Sequence, residues 1–132
     1  MERSRDLVGV GLAAFALINL VIALFAVIDP GAFYDELGPF GPQNDHYIRD
    51  AAGAMQGSLG VAMAIAIFRR SWRVGVLGYA VLHYTFHAAN HLADIGEADP
   101  ESVGVVDFVL LAVGACTLVW LLLRAVREER VA

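Results

Sequence analysis

Residues 7–28 read LVGVGLAAFALINLVIALFAVI, twenty-two positions without a charge and with Asn19 as the single strongly polar side chain. At 1.5 Å rise per residue an α-helix of that length spans about 33 Å, sufficient to cross a hydrocarbon core of about 30 Å. A helix of a soluble bundle requires a polar outer face. Neither this run nor Phe108–Leu123 has one. Arg3 and Arg5 precede the run, as in a secretory signal, but signal cores are shorter, roughly 7–15 residues, and end in small side chains. Ala26-Val27-Ile28 is a poor cleavage site. The stretch is expected to remain in the bilayer as a helix.

Working outward, Asp29-Pro30-Gly31 stops that helix, because proline cannot continue it and glycine opens a turn. The segment to Asp45, with Gly38, Pro39, Gly41 and Pro42, reads as an irregular loop whose Phe33, Tyr34 and Phe40 suit the headgroup zone. Further apolar runs cover about 46–68, 74–93 and 103–123, and Arg124 to Ala132 reads as a frayed, charged helix end. The expectation is one all-α membrane domain over residues 1–132, a four-span transmembrane helical bundle. A hydrophobic fraction of 58% and a mean hydropathy of +0.62 agree with it.

Charge sets the orientation. All nine basic residues are arginine, and in a four-span layout Arg3, Arg5, Arg69, Arg70, Arg73, Arg124, Arg127 and Arg130 share one side, leaving Arg49 alone on the other. By the positive-inside rule both termini are cytoplasmic, and the plasma membrane is the expected location. The single cysteine, Cys116, excludes an intrachain disulfide. No basic stripe with interleaved aromatics points to nucleic acid.

The chemistry-bearing stretch is HYTFHAANH, residues 83–91, closed by Asp94. His83, His87 and His91 recur at steps of four, so on a helix they form a slowly drifting stripe. His83 falls near the bilayer midplane and His87 and His91 further out, in the layer that also takes His46, Arg49 and Asp50 from the second run and Asp107 from the fourth. Ionisable groups at such depth face a bundle interior and find partners; Arg49 is the natural counter-ion for Asp50, Asp94 or Asp107. His46, Asp50, Gly53, Gly57 and Gly60 fall on one helix face by the three-and-four rule. The glycines read as close helix packing in lipid.

A pocket in the outer leaflet, lined by His46, Arg49, Asp50, His87, His91 and Asp94, follows as an expectation. A divalent metal ion would take His87 and His91 at i, i+4, with Asp50, Asp94 or His46 completing the shell; a small polar ligand is the variant. Haem between facing histidines fits less well, because His46 is too shallow to oppose His83. A proton path lacks polar residues below His83 apart from Tyr79. Without HExxH, CxxC, GxSxG or a phosphate-binding glycine loop, no nucleophile–base pair marks an enzyme. The rival reading is an interaction subunit or homo-oligomer in which His83, Asn90 and the other polar groups only lock helices together by hydrogen bonds.

Residues 46–96 carry Arg49-Asp-Ala-Ala-Gly53, Gly57-Ser-Leu-Gly60, a basic turn, and Asp94-Ile-Gly96 at the end of the third run. This resembles the DoxX-like group of small four-helix membrane proteins, which share an arginine and glycines at the start of the second helix. The resemblance implies a four-span layout and, for some members, membership of respiratory or thiol-redox membrane complexes. The histidine stripe departs from that group.

Overall fold

The computed structural model describes residues 6–131, which are helical apart from short connections and contain no strand. Helix α1 spans Leu7–Ile28 and starts at Asp6, whose carboxylate accepts the Gly9 N–H at 2.8 Å. That bond satisfies one of the open donors of the first turn. Asp29 ends α1, but the chain does not become irregular there. Asp29 caps a second helix, α2 (Pro30–Leu37), by accepting the Ala32 N–H at 3.0 Å. Proline is favourable at a first helical position, where its missing N–H costs nothing, so Pro30 starts a helix as well as ending one.

Helix α3 runs Asp45–Phe68, capped by Asn44 on the Tyr47 N–H at 3.1 Å. Between Arg49 and Met55 it widens into a π-helical segment. A single 3₁₀ turn, Arg70–Trp72, leads into α4 (Arg73–Ala93), and α5 covers Glu101–Val131. The C-terminal charged stretch is thus helical through Val131. Leu118, Leu121 and Ala125 continue one buried face past the end of the apolar run, and arginine and glutamate are good helix formers.

The four long helices run up-down-up-down, with α1 lying along α3 and α4 along α5. Their core contains Leu12, Ala16, Leu59, Met63, Leu77, Ala80, Tyr84 and Leu118. The α1 face turned inward is mostly small, with Ala16, Asn19, Ala23 and Ala26, whereas Leu17, Val21, Leu24 and Ile28 are exposed. This reverses the usual order of a bundle in water, where the outer face is the polar one. Three helices, α1, α3 and α5, are long and apolar enough to cross a membrane. The sequence suggested four. Helix α4, at 21 residues, has the length, but His83, Tyr84, Thr85, His87, Asn90 and His91 lower its hydropathy. Arg3 and Arg5, which enter the orientation argument, lie outside the described residues.

Candidate functional site

The buried face of α4 carries Arg73, Leu77, Ala80, Tyr84 and Ala88 at helical steps of three and four. His83, His87 and His91 each lie one residue off that line or three beyond it, so they flank the core and are half-buried. Ring centroids are 5.8 Å apart from His83 to His87 and 4.8 Å from His87 to His91. Tyr79 stacks on His83 at 6.2 Å, and the edge of Phe40 meets His91 at 4.7 Å. Phe40 reaches that position because its loop pairs, at Ala98, with the loop that follows α4.

The Nε2 atoms of His87 and His91 lie 3.1 Å apart. If both rings are neutral, one Nε2 carries a proton and the other accepts it, which fixes opposite tautomers. One Nδ1 is then a donor and the other an acceptor. Both Nδ1 atoms are buried without a partner, as is Nε2 of His83. Unpaired buried polar atoms are uncommon and call for an explanation. Asp107 on α5 is half-buried.

The remaining residues of the expected pocket lie elsewhere. His46 and Asp50 are 3.4 Å apart but 87% and 68% exposed. Arg49 and Asn90 are exposed, Arg49 makes no ion pair among the described residues, and half-buried Asp94 caps the end of α4. Among the described residues no three His, Cys, Asp or Glu side chains form a group that could hold a metal ion. Of the six residues of the expected pocket, the contacts among the described residues join only His87 with His91 and His46 with Asp50. Two causes can be named. The face drawn through His46, Asp50 and the glycines assumed 3.6 residues per turn, and the π-helical segment Arg49–Met55 has a wider turn that breaks the projection. The glycines also face α1, not the histidines: a Cβ on Gly53 would lie 2.7 Å from Val27, one on Gly57 3.4 Å from Ala23, and one on Gly60 2.8 Å from Leu20.

Three buried polar residues carry more of the structure than sequence reading assigned them. Asn19 is fully buried and donates through Nδ2 to the Tyr84 hydroxyl at 3.0 Å and to the Phe15 carbonyl at 2.7 Å, joining α1 to α4. Its isolation in an uncharged run was the available signal. Gln56 is buried with an unpartnered Oε1. Arg73, 4% exposed, grips both carboxylate oxygens of Asp6 at 2.7–2.8 Å and the carbonyls of Ala66 and Ile67 at 3.1–3.2 Å. No protein-family model matches the chain, and no curated protein or solved structure is significantly similar to it.

Proposed function

We propose that this is a four-span plasma-membrane protein with both termini cytoplasmic, whose His87–His91 pair binds a divalent transition-metal ion near the outer leaflet. The observation that carries the reading is the 3.1 Å separation of the two Nε2 atoms. Two imidazole nitrogens at about 2.05 Å from one ion lie about 2.9 Å apart at a right angle and about 3.4 Å apart at the tetrahedral angle. The pair is thus spaced as two ligands of one ion, on a rigid helix, before any ion arrives. The chain supplies two nitrogens; water or a partner protein supplies the rest. Binding would give both Nε2 atoms the same role and so free both rings to carry Nδ1–H. A relation to the DoxX-like group belongs to the same proposal, resting on Arg49, Gly53, Gly57 and Gly60.

A second reading is favoured by a different observation: Asn19–Tyr84 and the Arg73 contacts each tie separate helices together. On that reading the His87–His91 hydrogen bond is also internal packing and the protein is an interaction subunit. Titrating detergent-purified protein with Co²⁺ separates the two. Metal binding expects absorption bands of nitrogen-bound Co²⁺ that His87→Ala and His91→Ala each abolish, since a single remaining imidazole chelates nothing. Wild type without such bands, but with both variants melting lower, would leave the packing reading. Labelling of a cysteine placed at Asp99 from outside intact cells tests the orientation; protection there would overturn it.

A further inference from the structure

Trp120, Arg124 and Arg127 follow one another on α5 at steps of four and three, so they share a face. The Arg124 guanidinium carbon lies 4.5 Å from the centroid of the Trp120 ring, a cation–π contact that holds the charge beside the indole. Next to them is a hollow of about 300 Å³ lined by Trp120, Leu123, Arg124, Arg127 and Glu128, at the lower end of the small-ligand range of about 300–1,000 Å³. The lining is apolar toward Trp120 and Leu123 and cationic toward the arginines. Glu128 also borders the hollow, but its carboxylate is directed toward Arg73, 3.9 Å away. Arg124 and Arg127 make no ion pair among the described residues.

Depth gives this combination a direction. The uncharged run Phe108–Leu123 has sixteen residues, about 24 Å of helix, so Arg124 stands where the hydrocarbon layer gives way to headgroups. Arginines there meet the anionic lipids of the cytoplasmic leaflet, and tryptophan prefers that same depth. We propose that the hollow is a binding site for one anionic phospholipid, with its phosphate between Arg124 and Arg127 and its acyl chain along Leu123 and Trp120. A zwitterionic headgroup would bring its own cation toward the two arginines, so the site discriminates by charge. This inference rests on the cytoplasmic, membrane-spanning placement proposed above for α5.

The test uses Trp120 as its own reporter. In a Trp72→Phe background it is the only tryptophan of the chain, and reconstitution into phosphatidylcholine vesicles with brominated lipid measures which headgroup sits beside it. Brominated phosphatidylglycerol is expected to quench Trp120 with a relative association about thirtyfold that of brominated phosphatidylcholine, from two arginines at the surface at about 1 kcal/mol each. Arg124→Gln with Arg127→Gln should bring the ratio to one, while the double lysine variant keeps most of it. Inorganic phosphate added to the phosphatidylcholine vesicles should leave the emission unchanged. Equal quenching in wild type, or a preference surviving in the glutamine variant, would overturn the site. Phosphate that shifts the emission and removes the phosphatidylglycerol preference would reassign it to a free anion. Trp120 unquenched by either lipid would instead remove the membrane placement, and the site with it.

Discussion

Arg73→Ala should lower the stability of the bundle by about 2–4 kcal/mol, the cost of removing a buried guanidinium that makes several charge-assisted hydrogen bonds. The loss is reduced because the partner Asp6 is 41% exposed and can be solvated. The effect is this large because one guanidinium serves several elements. Its Nη1 and Nη2 donate to the two Asp6 oxygens at 2.8 and 2.7 Å. The Nε donates to the Ala66 carbonyl at 3.2 Å, and Nη2 also to that of Ile67 at 3.1 Å. Those carbonyls belong to the last turn of α3, where helix acceptors lack intrahelical partners. Asp6 is the cap of α1, and Glu128 on α5 lies 3.9 Å from Nη1. A single side chain at the start of α4 therefore closes the end of the bundle across all four long helices. Lysine brings a point charge without the planar fork, so Arg73→Lys should recover only part of the loss. Thermal unfolding in detergent reads both.

The same contact gives a pH dependence with a definite sign. Donation from Arg73 holds the Asp6 carboxyl below the ordinary value of 3.8, with the Gly9 N–H adding to the effect and partial burial opposing it. A carboxyl that binds protons more weakly when folded contributes stability that is full above its unfolded pKa and lost as the pH falls through the folded one. The gap in melting temperature between wild type and Arg73→Ala should therefore be constant at neutral pH and narrow as the pH falls below about 4. A gap that widens in acid would assign the coupling to another pair.

The fold was legible where hydropathy and length decide it: α1 begins and ends at the residues its uncharged run marks, and α3 and α4 start within one residue of expectation. Asp29-Pro30 does stop α1, but the following segment, read as an irregular loop, begins with a helix that Asp29 caps locally at the Ala32 N–H. The charged C-terminal stretch, read as a frayed helix end, stays helical through Val131, and Ala125 within it is buried. The histidine stripe itself was visible, since steps of four determine which rings stack. Which helix it faces was not, because spacing along one helix carries no information about the rotation of its neighbour. Arg73 shows the same limit. It sits in a cluster with Arg69 and Arg70 that reads as a topology signal, and only Asp6, sixty-seven residues away, distinguishes it from the other two.

Gly60→Val is expected to be the other severe substitution, costing about 3 kcal/mol or more, at the upper end of what overpacking a tight contact exacts. A Cβ at Gly60 would stand 3.1 Å from the Leu20 backbone nitrogen and 2.8 Å from its Cγ. A side chain can rotate away, but a backbone amide inside α1 cannot, so α1 and α3 must separate along their length. In lipid that separation is not opposed by a hydrophobic drive between helices; close van der Waals packing is what holds them. A graded series tests the cause. Gly57→Ala, whose Cβ would meet Ala23 at an ordinary 3.4 Å, should be near neutral, and Gly60→Ala should fall between it and valine. Gly75→Ala and Gly78→Ala on α4 meet nothing within 4 Å and should raise stability by about 0.4–1 kcal/mol, because alanine restricts the unfolded chain. If all five substitutions shift the melting temperature alike, helix propensity governs and the α1–α3 contact is not what the glycines are for. A steep fall confined to Gly60 would instead make the α1–α3 seam a rigid half of the bundle, against which α4 and its histidines are positioned through Asn19 and Tyr84.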